Sequence, residues 1–247
     1  MTKITRLMMG MPISIDLPDL EETDLIDEVF SEFANVDARF SPYRDDSELS
    51  RLNAGALHAE EISAQMREVL EIARDISAAT GGYFDPLRPD GDLDPSGVVK
   101  GWAILRAARQ IAAAGQRNFC VDAGGDIQCA GTDAHGAAWR IGIQSPFNPD
   151  HVVKVVTPKG GGMATSGNYV RGDHIYNPHQ PSEPVTEIVS LTVIAPDVLT
   201  ADLHATAGFA MGARGIYHIE ATAGLEGYAI APDGTALATT GFKEFVA

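Results

Sequence analysis

The fold class is decided by residues 93–129, which read LDPSGVVKGWAILRAARQIAAAGQRNFCVDAGGDIQC. A turn rich in Gly and Pro leads into a helix that we predict from about Val98 to Ala114. Two short strands are predicted after this helix, Asn118–Asp122 and Asp126–Cys129, and the double Gly between them suits a tight hairpin or a bulge. A helix followed by short strands that look antiparallel predicts an α+β fold.

The same mixture of helices and strands extends to both ends of the chain. Alternating apolar and polar residues predict a strand at Met11–Leu17, and the apolar spacing in 25–36 predicts an acidic amphipathic helix with a capping-box-like start at Asp19 and Glu22. Further strands are predicted at Trp139–Gln144, His151–Thr157 and Ile188–Ala195, with a hairpin turning at Pro232–Gly234. Further helices are predicted within 41–53 with Asp46 or Ser47 as cap, from Ser63 to Gly81, and from Asp197 to Met211, with an irregular loop over 81–97. We therefore expect a single compact unit.

The composition is that of a globular protein with a strongly acidic surface. The chain has 247 residues, 45% hydrophobic and 21% charged, with a formal net charge of −16. Such a charge is repelled by nucleic-acid phosphates and by anionic lipid, so neither is an expected partner. A phosphate-bearing ligand would need a metal ion, backbone amides or a well-placed lysine to bind.

Cysteine usage and hydropathy predict a cytoplasmic protein. The two cysteines, Cys120 and Cys129, are too few for a disulfide framework, and their spacing matches no usual zinc site. No apolar run approaches the roughly 20 residues of a membrane span. The N-terminal segment lacks the features of an export signal, which supports this location if Met1 is the natural start.

The segment 93–102, LDPSGVVKGW, has the chemistry of a phosphate-binding turn. A Gly-rich turn at a helix start presents backbone N–H groups and the positive end of the helix dipole, and Lys100 adds a full charge. The P-loop spacing is absent, so a helix start with an incidental lysine is the alternative.

The segment 201–206 carries candidate metal ligands. Asp202 and Thr206 are four residues apart, so their side chains share one face of the predicted helix. A carboxylate and a hydroxyl are hard oxygen ligands that suit Mg²⁺ or Ca²⁺ but not zinc. A solvated or capping pair is the alternative.

Three further positions have both a functional and a structural interpretation. Asp122 and Asp126 flank the double Gly, which indicates either close approach of a ligand or a plain hairpin. His174 lies in polar, Gly- and Pro-rich surroundings typical of an accessible site, although a lone histidine is more often structural. Tyr43 lies in a turn, where its ring either stacks on a base or flavin or packs against the acidic helix.

Taken in their order along the chain, these segments resemble the ApbE family of FAD:protein FMN transferases. The matching pieces are Met9-Gly10, FSPYRDDSELSRLN at 40–53, GYFDP at 82–86, LDPSGVVKGW at 93–102, DAGGD at 122–126, ATSG at 164–167, His174-Ile175 with Pro178, and Ala201-Asp202 with Thr206. The resemblance implies one compact ApbE-like, T-fold-related α+β domain over residues 1–247, with mixed, mostly antiparallel sheets and flanking helices.

The resemblance also implies a set of site residues. Asp202 and Thr206 match magnesium ligands, joined by a backbone carbonyl at Val99, and Asp202 and His174 match residues needed for catalysis. The positions that match the lining of the FAD pocket are Met9, Tyr43, Tyr83, Phe84, Asp85, Ser96, Lys100, Trp102 and Ile175.

The implied reaction is Mg²⁺-dependent transfer of FMN from FAD to a Thr or Ser hydroxyl of an acceptor flavoprotein, with release of AMP. His174 would take the hydroxyl proton or orient the phosphoryl group. The family motif His-His-Ile-Ile-Asp-Pro-x-Thr-Gly is altered here, because Asp173 replaces its first histidine and Asn177 its aspartate. Two alternatives follow from these changes: hydrolysis of FAD to FMN and AMP, or FAD binding without catalysis.

Overall fold

The computed structural model describes residues 2–20, 23–168 and 175–247, and most of its strands join one large sheet. The strands are β1 Thr2–Met8, β2 Met11–Leu17, β3 Phe119–Ala123, β4 Asp126–Ala130, β5 Ile141–Gln144, β6 Val152–Val156, β7 Gly162–Gly167, β8 Ser190–Ala195, β9 Glu226–Ile230 and β10 Ala236–Ala238. The large sheet has the order β1-β2-β3-β4-β7-β8-β9-β10, and β5 pairs with β6 alone. Every described pair is antiparallel, which confirms the predicted sheet type.

The helices begin where the sequence supplies a capping side chain in three of the six cases. They are α1 Asp24–Phe40, α2 Glu48–Asn53, α3 Ala64–Ala79, α4 Ser96–Ala113, α5 Val198–Ala210 and α6 Gly215–Ala221. Ser47, Ser63 and Asp197 each accept a hydrogen bond from the backbone N–H three residues later. This satisfies one of the amides that a helix start leaves without a partner. These three predicted caps are confirmed.

The predicted start of the first helix is wrong. α1 begins at Asp24 with Thr23 as the capping residue, because the chain first leaves β2 through a turn closed by the Leu20 amide on the Leu17 carbonyl. The Asp19 carboxylate instead accepts a 2.6 Å hydrogen bond from the Asn118 side chain. Glu22, the other half of the predicted capping box, lies outside the described residues.

Among the α-helices and strands of the described residues, β1, β7 and α6 are absent from the sequence prediction. Residues 164–167 are part of β7, a buried strand between β4 and β8, although their small side chains lack a strand pattern. The strand starts with a glycine because it packs closely against the next helix: a Cβ at Gly162 would overlap the backbone at the start of α5. The predicted strand at Trp139 begins only at Ile141.

The core is divided by the large sheet into two layers. Ala164 and Met163 are neighbours in β7, so their side chains point to opposite faces, and they belong to different hydrophobic clusters. The helical face carries α1, α3 and α4 over β2 and β3, with α5 and α6 over β7 to β9. The opposite face of β4, β7 and β8 is covered by β5, β6 and Phe242. This arrangement sets α4 beside α5 near the centre of the sheet.

Both cysteines have a packing role in the sheet rather than the features of a reactive thiol. Cys120 and Cys129 are directly opposite each other on β3 and β4, and both are free thiols. Burial raises the pKa of both, that of Cys129 to about 11, so they stay protonated near neutral pH. Within the described ranges, no helix has the length and apolar character needed to cross a membrane.

Candidate active site

Two glycines on α4 allow α5 to approach closely. Gly97 and Gly101 are one helical turn apart and lie on one face. A Cβ at Gly101 would be 3.0 Å from the Cα of Leu199 and from the Cβ of Asp202, and a Cβ at Gly97 would be 3.7 Å from the Cγ2 of Thr206. The missing side chains therefore bring the Asp202 and Thr206 face of α5 directly against the start of α4.

Lys100 connects two buried carboxylates at this contact. Its Nζ lies 2.5 Å from Asp126 Oδ2 and 3.5 Å from Asp202 Oδ1. Asp126 is 1% exposed and Asp202 is 2% exposed, so both charges are nearly removed from water. Asp126 Oδ1 also accepts a 3.1 Å hydrogen bond from the Thr165 amide. One ammonium is thus shared by two carboxylates, and a negative charge is left over when all three groups are ionised.

The Asp202 carboxyl group is poised to exchange a proton for a cation. Burial raises its pKa to about 7; the charge of Lys100 works against this shift and the neighbouring Asp126 adds to it. Asp202 Oδ2 accepts a 3.0 Å hydrogen bond from the Gly101 amide, which favours the charged form but does not offset the burial. Near neutral pH this carboxyl group therefore binds either a proton or a further positive charge.

The oxygens around Asp202 fit a hard divalent cation. Thr206 follows Asp202 by one turn of α5, and its Oγ1 lies 3.4 Å from Ser166 Oγ on β7. Carboxylate and hydroxyl oxygens are what Mg²⁺ prefers. Within the residues that the structure describes, no group of three or more His, Cys, Asp or Glu side chains is placed to hold a metal ion.

Asp126 is the residue that sequence reasoning left unassigned. It follows the two-residue turn Gly124-Gly125, whose φ angles of +63° and +96° require glycine, and Asp122 Oδ1 accepts the Gly125 amide at 2.9 Å. The hairpin interpretation of the double Gly is therefore confirmed, and this hairpin brings Asp126 to Lys100; the close approach of a ligand stays a prediction. The signal in the sequence is an aspartate directly after the turn.

The start of α4 differs from the expected phosphate cradle. The Ser96 amide and hydroxyl both donate to Asp94 Oδ1, and the Val98 and Val99 amides donate to the Pro95 carbonyl. The expectation of free amides is wrong for Ser96, Val98 and Val99, and the capping residue of the helix is Pro95, which gives no side-chain capping hydrogen bond. Lys100, one turn into α4, is a cationic group near this end of the helix and is paired with Asp126.

The residues predicted to line the FAD pocket have different surroundings. Phe84 is buried with its ring against Gly97, and Tyr83 beside it is half-buried. Asp85 and Ser96 are exposed, and Ile175 packs against the core between α5 and β7 to β9.

Three other predicted residues lie in a turn, at the surface and in the core, respectively. Met9 forms the turn between β1 and β2 with a φ of +52°, and Tyr43 is 93% exposed. Trp102 is 2% exposed, donates to Glu68 at 3.0 Å and meets Phe40 edge-on, so its ring packs in the core. Val99 is buried in the first turn of α4. His174 lies outside the described residues.

Comparisons with known proteins point in one direction. The ApbE family model matches residues 9–89 and 87–229. A Salmonella typhimurium relative named FAD:protein FMN transferase is 32% identical over 187 residues, which is 72% of this chain and 53% of the relative. An Escherichia coli K12 relative of the same name is 32% identical over 177 residues, 66% of this chain and 50% of the relative. The chain spans about half the length of these curated relatives.

Solved structures agree over the whole chain. The Vibrio cholerae flavin transferase ApbE superimposes with a TM-score of 0.85 at 26% identity, covering 99% of this chain and 98% of the other. A Thermotoga maritima ApbE protein superimposes with a TM-score of 0.85 at 22% identity, covering 100% and 99%, which supports the fold. The predicted α+β class and the resemblance are both confirmed. Since the family model covers far more than half of its residues, this chain belongs to the ApbE family.

Proposed function

We propose that this chain transfers the FMN moiety of FAD to a Thr or Ser hydroxyl of an acceptor flavoprotein and releases AMP, in a Mg²⁺-dependent reaction. The observation that carries the proposal is Lys100 between buried Asp126 and Asp202, with Thr206 one turn away. The names of the curated relatives give the reaction class. We take residues 1–247 as one catalytic domain and the cytoplasm as its location, and the two free cysteines are consistent with that location.

Asp202 and Thr206, with the Val99 carbonyl, are proposed to hold the metal ion. The fit rests on the hard oxygens of the two side chains and on the buried carboxyl group whose pKa is raised to about 7. When bound, Mg²⁺ would neutralise pyrophosphate oxygens and the charge on the departing AMP. Asp202 would then serve catalysis through the metal ion.

Lys100 is proposed to hold the pyrophosphate of FAD. Its two carboxylate partners fix the position of its ammonium group, with a side chain that is 23% exposed. Because Lys100, Asp126 and Asp202 together keep a negative charge when all three are ionised, attraction of the pyrophosphate would also need the proposed metal ion on Asp202. Positioning of the phosphates in line with the attacking hydroxyl is a major part of phosphoryl-transfer catalysis.

The bond changes in the proposal are few. The acceptor hydroxyl oxygen attacks the FMN-side phosphorus, and the bond from that phosphorus to the AMP oxygen breaks. His174 would accept the hydroxyl proton or orient the phosphoryl group. Tyr83 and Phe84 would line the flavin pocket with the other residues predicted for it.

Two alternatives differ from transfer only in what happens to FMN. In hydrolysis, water replaces the hydroxyl, and FMN and AMP are released. In a binding protein, FAD stays intact. Transfer is favoured because the matched relatives carry the transferase name.

The test incubates the purified full chain with FAD, Mg²⁺ and a flavin-acceptor domain, and measures the acceptor mass. A gain of one FMN supports transfer, free FMN without an adduct supports hydrolysis, and unchanged FAD supports binding alone. Asp202→Ala should abolish Mg²⁺-dependent turnover while the circular dichroism spectrum stays unchanged. Asp75→Ala, which removes an exposed acid from α3, is the matched control.

A further inference from the structure

The Tyr83 side chain is held from two sides. Arg214 Nη2 donates a hydrogen bond to the Tyr83 hydroxyl, and the guanidinium carbon lies 5.6 Å from the ring centre. The His179 ring meets the Tyr83 ring nearly at right angles, with 4.6 Å between the ring centres. A tyrosine side chain has two main rotatable bonds, so contacts at the hydroxyl and at the ring together restrict both.

Arg214 projects from a backbone turn that is itself anchored. It ends the 3₁₀ turn Gly212–Arg214, in which the Ala213 amide donates a 2.9 Å hydrogen bond to Glu187 Oε2. Gly212 has a φ of +63°, and a Cβ there would overlap the Glu187 carboxylate. Glu187 therefore sets the place of the turn, and with it the place from which the guanidinium reaches Tyr83.

His179 is fixed in a comparable way. Its Nε2 lies 3.0 Å from the Gly81 carbonyl oxygen, and its backbone amide donates to Asn177 Oδ1 at 2.9 Å. Gly82 has a φ of +82°, and a Cβ there would already be 3.4 Å from the His179 ring. The contact on the ring side of Tyr83 thus depends on two fixed neighbours, Gly81 and Asn177.

We propose that Arg214 is a positioning residue that preorganises Tyr83 for FAD. The inference rests on the proposed function, in which Tyr83 lines the FAD pocket. Binding normally costs conformational entropy for each side chain that the ligand immobilises. Arg214 and His179 already restrict Tyr83 in the free protein, so FAD binding loses less conformational entropy at this side chain. Arg214 therefore raises FAD affinity without touching the reacting atoms.

Arg214→Ala should weaken FAD binding by about 2- to 10-fold in titration calorimetry, the range expected for freeing one ordered side chain. The turnover number should change by less than about 2-fold, because the reacting groups are untouched. Arg214→Lys keeps a donor for the Tyr83 hydroxyl and should recover part of the lost affinity. A loss confined to turnover, with unchanged affinity, would contradict the positioning role.

A double-mutant cycle tests whether Arg214 acts through Tyr83. In the Tyr83→Phe background the hydroxyl is gone, so adding Arg214→Ala should have little further effect on FAD affinity. An equal loss in both backgrounds would mean that Arg214 contacts FAD directly, and would overturn the inference. Arg74→Ala removes an exposed arginine from α3 and controls for the change in net charge.

The inference and the proposed function fail in different ways. Wild-type protein that takes up no FAD, with or without Mg²⁺, overturns both. Wild-type protein that binds FAD while Arg214→Ala binds it equally well overturns only the role of Arg214. Arg214 is exposed, so Arg214→Ala should keep the wild-type melting temperature, and affinity is compared at matched folded concentration.

Discussion

Replacing Asp202 with asparagine should remove a pH-dependent part of the stability of the metal-free protein. Burial raises the pKa of Asp202 from 3.8 to about 7, so the folded state holds this proton more tightly than the unfolded chain. The stabilisation is therefore fully present below pH 3.8 and is lost as the pH rises through about 7. The Asp202→Asn variant cannot ionise at this position and lacks the effect.

The size of the effect follows from the two pKa values. One unit of pKa difference corresponds to about 1.4 kcal/mol, so between pH 5 and pH 8 the wild type should lose on the order of 2–3 kcal/mol relative to Asp202→Asn. Urea denaturation in EDTA at several pH values measures this difference. Asp75→Asn removes an exposed acid and should show no such trend.

Magnesium supplies the second half of this test. The cation needs the ionised carboxylate, so MgCl₂ at pH 8 should raise the free energy of unfolding of the wild type but not of Asp202→Asn. A stability difference between the two proteins that stays constant from pH 5 to pH 8 would refute the assignment of a strongly raised pKa to Asp202. Equal stabilisation of both proteins by MgCl₂ would remove Asp202 from the metal site.

Three further changes probe the helix contact, the core and the chemical step. Gly101→Ala places a Cβ 3.0 Å from the Cβ of Asp202. It should lower the free energy of unfolding by about 1–3 kcal/mol in urea denaturation and weaken Mg²⁺ binding. Unchanged Mg²⁺ affinity would argue that the close contact of α4 and α5 does not support the metal site. Phe209→Ala empties a fully buried position and should cost about 3–5 kcal/mol in the same measurement. His174→Ala should lower the single-turnover rate more than FAD affinity, whereas equal losses in both would make His174 a ligand contact.

The sequence predicted the local structure correctly where the interacting residues are close together in the chain. Ser63 caps α3 through its own neighbour three residues on, and the double Gly before Asp126 forms the predicted tight turn. The spacing of Asp202 and Thr206 placed both on one face of α5. In each case the interacting residues lie within five consecutive positions, so the local sequence contains the physical cause.

The prediction failed where a residue is determined by a distant neighbour. β7 has no strand pattern because its glycine must leave room for the start of α5. The bond from Arg214 to Tyr83 joins residues 131 positions apart, and neither residue shows the other in its local sequence.

The sequence by itself determined most of the helices and strands, three helix caps and the separate pieces of the site, because propensity, spacing and turn chemistry act over a few residues. The tertiary structure alone decided that Lys100 lies between Asp126 and Asp202. The three residues belong to α4, β4 and α5, which come together only when the two helices pack on the sheet and approach each other closely at Gly101. Burial at that meeting point raises the pKa of Asp202 to about 7 and turns three ordinary charged residues into a candidate cation site.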